Sequence, residues 1–542
     1  MEPHLATIWE SVADVVGDST AIVAGDVRRS WADFDDRSAR LAGAFEAAGV
    51  GAGSKVAAFL YNSPEYLETY LATLKIRAVP VNVNYRYLDD ELLYLLDNAD
   101  ALVLVFHASL GDRVERVRER ATKLRLLIEV PDEPGAAGRV DGAIAYETAV
   151  GDHEPARRIA RRPSDITMTY TGGTTGMPKG VMTPMGPGVD TILASTPALV
   201  GLAPVTDPAE LAGIAARLAA ENRSMAALPA CPLMHATGLA IGTLPALTFG
   251  GTAVLMESRG LDPAEVWSAV ERERVMALTI VGDAFSRPLL RELDEGPERD
   301  LSSLAVICSS GAMFSADIKT GLLAHLTQAM ILDFIAATEG AMGISISTHA
   351  NPAPTGRFQP NPGVKVFDAQ DLEVAPGSGK SGVVAVPGST SGYYKDEAKT
   401  ARTFRQIDGV RYSIPGDWAT VDADGSIVLL GRGSHCINTG GEKVYPEEVE
   451  EAIKRHPAVE DCLVFGLPDE RFGQRVVGVA SFAPRAATTA PTAEAVLADL
   501  TTRLSAYKVP RHLTVVAAVP RAPNGKADYP SARALFDGPA VP

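Results

Sequence analysis

The stretch Tyr170–Met182 reads YTGGTTGMPKGVM, and its chemistry decides how the rest of the chain is read. Gly172, Gly173, Gly176 and Gly180 alternate with Thr171, Thr174, Thr175 and Lys179. Glycine lets a backbone approach a ligand closely and turn its N–H groups around an anion. Threonine hydroxyls add donors, and a lysine adds a point charge. The pattern predicts a phosphate-holding loop rather than a solvated turn. It is not a Walker loop, because no GK[ST] follows a glycine at the required spacing. The GSGKS at 377–381 is a decoy for the same reason, since Val374 stands where the first glycine would be needed.

Working outward, 542 residues exceed one ordinary core, so two or more domains are expected. With 46% hydrophobic and 22% charged residues the balance is that of a globular protein. No apolar run approaches the ~20 residues of a membrane span; the longest candidate, Ala101 to Phe106, is strand-sized. The opening residues MEPHLATIWE show no signal-peptide pattern. Cys231, Cys308, Cys436 and Cys462 lack metal or disulfide spacing, which predicts a reducing cytoplasm. A net charge of −17 argues against a nucleic-acid surface. It also means that a polyphosphate would be repelled unless Mg²⁺ and a few placed basic residues reverse the sign locally.

Hydrophobic periodicity predicts alternating helices and strands. Ser30 caps a helix whose Trp31, Phe34, Leu41 and Phe45 share one face, and Gly49 ends it. Ser63-Pro64 opens another, carrying Tyr66, Leu67, Tyr70, Leu71 and Leu74. Val56–Leu60, Val79–Val83 and Leu102–Phe106 read as strands. The alternation predicts an α/β fold with parallel-rich sheets. Residues 183–230 read as an irregular, proline-broken excursion with one helix at Pro208–Glu221, and 371–393 as turns between short strands. The texture changes near Ser434. We divide the chain into a large domain at 1–433 and a small α/β domain at 434–542.

Further motifs follow in order: PLMHATG at 232–238, ATEG at 337–340, PGDW at 415–418, GRGSHCINTGGEKVYPEEVE at 431–450 and PNGKADY at 523–529. Together with the glycine-rich stretch they resemble the adenylate-forming superfamily, which holds acyl- and aryl-CoA synthetases, peptide-synthetase adenylation domains and luciferases. The wording of INTGGEKVYPEEVE and RAPNGKADY is most similar to actinobacterial CoA ligases of steroid or polycyclic terpenoid acids, including those of the platensimycin pathway. The resemblance implies a large nucleotide- and acyl-binding domain and a small mobile C-terminal lid. It implies that Thr171–Gly176 and Lys179 hold ATP phosphates, and that Thr338 donates to the α-phosphate. Glu339 would hold Mg²⁺, which favours few carboxylates plus substrate phosphates. Asp417 would accept the ribose hydroxyls and Arg432 would contact ribose or phosphate. Gly311, Ala312, Ile335 and Ala336 would border the nucleotide. Lys526 would swing in to neutralise charge during adenylation, a contact of about 3–4 kcal/mol in a dry site. His235 would gate the carboxylate end of the acyl pocket. Gly440 and Gly441 would line the pantetheine tunnel, Lys508 and Arg511 would meet CoA phosphates, and Ser434 would be the hinge.

No acid lies between Cys231 and Thr248, so the substrate is expected to lack an α-amino group; Leu239, Ile241, Leu244 and Leu247 point to an apolar acyl chain. The sequence also departs from the family. Ile335 and Ala336 replace the usual Tyr-Gly, losing an adenine stack of about 0.5–1.5 kcal/mol. Ile414-Pro415 replace Arg-Thr, and His435 stands where an acid is common. The expected activity is AMP-forming carboxylic acid:CoA ligation with ATP, Mg²⁺ and coenzyme A. The alternatives left open are a thioesterification-only ligase fed with preformed acyl-AMP, an adenylation enzyme loading a separate carrier protein, and a luciferase-like oxygenase. The partners expected are the small-molecule acid, ATP and CoA; a homodimer and a separate adenylating enzyme are the protein partners left open.

Overall fold

A computed structural model describes residues 1–132, 138, 140–173, 176–388, 390–439, 442–469, 472–483, 492–501, 503–522 and 525–536. Local signals set several helices where expected. The Ser30 hydroxyl accepts from the Asp33 N–H at 3.0 Å and the Asp33 carboxylate accepts from the Ser30 N–H at 3.3 Å, closing a capping box on the helix Trp31–Ala47. Trp31, Phe34, Leu41 and Phe45 are all buried, and Gly49 has φ +75° just beyond the helix end. The Ser63 hydroxyl caps Pro64–Lys75 by accepting from the Tyr66 N–H.

Among the described residues the strands form three sheets. One holds Lys55–Phe59, Val79–Asn82, Ala101–His107, Leu126–Val130 and Ile144–Ala145 in parallel, with Ile166–Gly173 parallel to Val79–Asn82. In the second, Thr20–Ala24, Thr252–Leu255, Ala226–Pro229, Ala277–Ile280, Val306–Ser310 and Met330–Ala337 run parallel, then antiparallel strands continue from Gly340–Thr348 to Ile427–Arg432 and beyond. The third comprises Ile437–Thr439, Glu442–Val444, Val459–Asp469, Gly473–Phe482 and His512–Val515. The mixed α/β architecture agrees with the expectation.

Two local readings are corrected. The stretch at Thr171–Gly180 is not a free loop. It is an antiparallel hairpin, with Ile166–Gly173 pairing Gly176–Pro184 and Thr171 opposite Lys179. Cross-strand pairing satisfies backbone groups that a solvated loop would leave to water. The proline-broken excursion also contains a helix, Met185–Ser195. Pro187 is its third residue, within the first turn, where no intrahelical N–H partner is required. The helix at Pro208–Glu221 is a short 3₁₀ turn followed by Leu211–Ala220.

The segment that feeds the hairpin lies across the helix Trp31–Ala47, where the Ala156 N–H donates to Ala39 O at 2.8 Å. A Cβ on Gly43 would sit 2.1 Å from the backbone oxygen of Glu154. Gly→Ala inside a helix ordinarily stabilises by about 0.5–1 kcal/mol. Here the opposite is expected: Gly43→Ala lowers the melting temperature measured by differential scanning calorimetry, and an unchanged or higher value would contradict the close packing.

Candidate active site

The site gathers at the ends of strands from two sheets and at one hairpin of the small domain. Asn82, the last residue of its strand, joins two of its walls. Its amide donates to Tyr170 O at 2.9 Å and to Met234 O at 2.7 Å, and its Oδ1 accepts from the Tyr170 N–H at 2.6 Å. Asn62 does similar work one strand over, donating to Cys231 O at 3.1 Å and accepting from the Leu233 N–H at 2.7 Å. The Tyr66 hydroxyl donates to Leu233 O at 3.1 Å. These side chains set the PLMHATG segment against the glycine-rich hairpin.

On that segment His235 is half-buried, and its buried Nε2 has no hydrogen-bond partner among the described residues. Burial, and then the Lys526 ammonium, pull its pKa down to about 4, so the ring is neutral at neutral pH. Thr237–Ile241 follows as a π-helical turn. A Cβ on Gly238 would lie 2.4 Å from Pro232 O, so this turn has room only for glycine.

Lys179 on the hairpin donates to the Asp396 carboxylate. That bond holds the Asp396 carboxyl below the usual range. Asp396 also caps Glu397–Thr403 through the Lys399 N–H at 2.9 Å. The Lys399 ammonium lies 4.7 Å from the Tyr393 ring centroid. Its pKa is lowered by burial and then by Lys179. Thr174 and Thr175 lie outside the described residues. Gly172, Gly173 and Gly176 flank them on the paired strands.

Thr338 and Glu339 form the turn between Met330–Ala337 and Gly340–Thr348. The Glu339 carboxylate accepts from the Tyr393 hydroxyl, and its backbone oxygen accepts from Thr390 and Ser413 hydroxyls at 3.1 Å each. Asp417 and Arg432 are cross-strand partners, joined from Nε to Oδ1 at 3.3 Å. The other Asp417 oxygen is buried without a partner among the described residues. Burial raises the Asp417 pKa against the pull of Arg432.

Lys526 arrives from the small domain. Its Cε lies 3.5 Å from where a Cβ of Gly311 would be, and Gly311 has φ +93°. The Lys526 pKa is lowered by burial and then by Arg432, while Asp417 and Glu339 oppose this. The structure thus brings Lys526, Arg432, Asp417, Glu339 and His235 into one electrostatic neighbourhood. Ala312, next to Gly311, is partly buried.

Other predicted positions stand elsewhere. Ile335 is 7% exposed and packs in a core cluster with Met342, Phe358 and Val386, whereas Ala336 is exposed at a bulge in the strand pairing. Ser434 lies in the 3₁₀ turn Gly433–His435. Gly440 and Gly441 fall outside the described residues. Lys508 binds both Glu448 oxygens at 2.6 and 2.8 Å, and the Arg511 guanidinium lies 5.4 Å from the Phe472 ring centroid. Sequence reasoning missed Asn62, Asn82, Tyr393, Asp396 and Lys399. The run GYYKDEAKT at 392–400 carried a signal in its density of charge beside aromatics; the two asparagines carried only their place at strand ends.

No group of three His, Cys, Asp or Glu that could cage a metal occurs among the described residues. The single carboxylate of Glu339 fits a cation that completes its shell from phosphate and water.

Residues 9–394 match the model of the AMP-binding enzyme family, and residues 448–526 match that of the AMP-binding enzyme C-terminal domain. The chain belongs to the AMP-binding enzyme family. A medium/long-chain-fatty-acid–CoA/3-oxocholest-4-en-26-oate–CoA ligase of Mycobacterium marinum is 39% identical, covering 97% of this chain and 95% of that protein. A 3-oxocholest-4-en-26-oate–CoA ligase of Rhodococcus rhodochrous is 38% identical, covering 98% and 95%. Among solved structures, the anthranilate CoA ligase AuaEII in complex with anthranoyl-AMP superposes with a TM-score of 0.82 at 21% identity, covering 98% of this chain and 97% of that one, a likeness of fold. For this AMP-binding enzyme the fold class and family read from the motifs hold.

Two outcomes are expected. Asn82→Ala leaves the buried Tyr170 N–H unpaired, at a cost of about 1–3 kcal/mol, and frees the hairpin from the His235 segment. Acid-dependent ATP–pyrophosphate exchange should fall by about tenfold or more; an unchanged rate would show that the two walls hold without it. His235 has a folded pKa below its unfolded value, so its stabilising contribution is present above about pH 6.5 and is lost as pH falls toward 4. His235→Gln should therefore flatten the stability–pH curve across that window by up to ~1.4 kcal/mol per pH unit, read from denaturant midpoints of both proteins at matched pH. Parallel curves would contradict a neutral imidazole at this site.

Proposed function

We propose that this enzyme is an AMP-forming acyl-CoA ligase that converts a bulky, apolar, polycyclic carboxylic acid to its CoA thioester through an acyl-adenylate. The observation that carries the reading is Lys526, placed over Gly311 within electrostatic reach of Arg432, Asp417 and Glu339. A cation delivered there can neutralise charge as a carboxylate oxygen attacks the α-phosphorus of ATP and pyrophosphate departs. Lys179, released from Asp396, would meet the outer phosphates together with the hairpin backbone. Thr338 would donate to the α-phosphate, and Asp417 would accept from the ribose hydroxyls with its unpartnered oxygen. Mg²⁺, held by Glu339 and the phosphates, would supply charge neutralisation. Neutral His235 would border the acid's carboxylate.

In the second step the CoA thiol attacks the acyl carbonyl and AMP leaves. Gly440 and Gly441 would line the pantetheine path. Lys508, exchanging Glu448 for phosphate, and Arg511 would hold the CoA nucleotide. We place the domain division at 433/434 with Ser434 as hinge, because the strand ending at Arg432 belongs to the large sheet and Ile437 begins the small one. No helix among the described residues is long and apolar enough to cross a membrane. With Cys231, Cys308, Cys436 and Cys462 all free, a cytoplasmic location fits. The relatives named as steroid-acid ligases, and the apolar segment after His235, support the polycyclic acyl group.

The test is a panel of 3-oxocholest-4-en-26-oic, dodecanoic and ferulic acids, scored separately for pyrophosphate release and CoA consumption. Acid-dependent pyrophosphate release without CoA, fastest with the steroid acid, is expected. Release that is fastest with ferulate would overturn the acyl assignment, and thioester formation only from added acyl-adenylate would overturn the two-step reading.

A further inference from the structure

The small domain touches the large one at a second place, away from the nucleotide. Lys454, the last residue of the helix Pro446–Lys454, has a side chain 4% exposed. Its ammonium lies 3.2 Å from Asp461 Oδ1 in its own domain and 3.8 Å from Asp283 Oδ2 of the large domain. Asp283 sits in the first turn of the helix Gly282–Glu295. Its Oδ1 accepts from the Ser315 N–H at 2.8 Å, and its Oδ2 meets Arg287 one turn along at 3.3 Å. A turn further, Arg291 donates to Glu460, the residue beside Asp461. One face of this helix therefore meets the small domain through Asp283 and Arg291, with Arg287 one turn along from Asp283 between them.

From Asp461 the contacts continue to the catalytic lysine. Arg521 binds both Asp461 oxygens, and its Nη1 donates to Gly525 O at 3.1 Å. The Ala522 N–H donates to Lys526 O at 2.8 Å. Gly525, at φ +71°, packs so closely that a Cβ there would lie 3.0 Å from Ala284 Cβ and 3.2 Å from the Phe285 ring. Asp283 is thus the neighbour of the residues on which the Lys526 turn rests.

We propose that Asp283 and Lys454 form an interdomain latch that positions Lys526 for adenylation, with Asp283 a positioning residue of the first half-reaction. A buried ammonium facing carboxylates from both domains is strongly destabilised when one is removed. Asp461 and Arg521 travel with Lys454 because all three belong to the small domain, whereas Asp283, Ser315 and Arg287 stay with the large one. The Asp283–Lys454 contact therefore exists only while the lid is in the arrangement that places Lys526 over Gly311. The latch rests on the two-step reading above, in which the lid rotates between half-reactions, and it biases that equilibrium toward the first.

The experiment compares the full-length enzyme with Asp283→Asn and Lys454→Met. Two rates are measured on each preparation with the acid that the wild-type enzyme activates fastest: acid-dependent ATP–pyrophosphate exchange, and CoA-dependent consumption of the purified acyl-adenylate. The wild-type rates test the parent reading; the latch is judged on the variants relative to them. Exchange is expected to fall by about 5–150-fold, the range of ordinary coupling energies. The fall should be in kcat, with KM for the acid retained and the thioester half-reaction preserved. Asp283→Glu, which keeps the charge, should recover most of the exchange. The preserved half-reaction doubles as evidence of folding. Equal loss of both half-reactions would make the network merely structural, and unchanged exchange in both variants would remove the latch; either result overturns the proposal.

Discussion

An ammonium group in a crowded cleft is held only where opposite charge meets it, and the meeting of solvent-accessible Lys526 with Asp417 and Glu339 is the constraint around which the site is arranged. Its neighbours Asp417 and Glu339 raise its proton affinity while burial and Arg432 lower it. Lys179, Lys399, Arg432 and Lys526 face Asp396, Asp417 and Glu339, so four cations oppose three carboxylates in a chain whose overall charge is −17. The sign reversal that a polyphosphate needs is local. It is effective because desolvated charges interact more strongly than solvated ones at the same distance. Each carboxylate is also anchored by a contact of its own, since Asp396 caps a helix, Glu339 accepts from Tyr393, and Asp417 pairs across a strand.

The scaffold supplies that precision through strand ends. Asn82 ends a parallel strand and Asn62 stands just beyond another, at the C-terminal edge where α/β sheets commonly present ligand-facing groups. From there they bind backbone atoms of two segments far away in the chain. These half-buried amides tie the glycine-rich hairpin and the His235 segment into one frame. The charge stripe along Gly282–Glu295 extends the same logic to the lid: a rigid helix offers Asp283, Arg287 and Arg291 at one-turn spacing, and the lid answers with Lys454 and Glu460.

Much of this was legible in the residues. Ser30 and Ser63 announced their helices because an N-cap is a contact within three residues. The motif order disclosed the family because each motif is short and chemically specific. Legibility failed where partners are distant. Glycine and threonine at 171–180 suggest a loop in isolation, and only pairing with the strand before them makes a hairpin. Ile335 occupies the position of an aromatic stacker, yet alternation along its strand turns it into the core beside Phe358, leaving Ala336 as the exposed neighbour. Asn82 and Lys454 carry no local sign of their roles, since each acts through a residue from a different element.

The amino-acid sequence by itself determined which charges, glycines and hydrophobic stripes exist, where helices start, and which chemistry the motif series can perform. Those properties depend on covalent neighbours and on residue type. The tertiary structure decided which carboxylate each cation meets, that the His235 imidazole is held neutral, and that Lys526 rests over Gly311 with Lys454 reaching Asp283. Those outcomes depend on desolvation and on contacts between elements far apart in the chain. Electrostatic strength is set by distance and by exclusion of water, and neither is defined until the domains have packed.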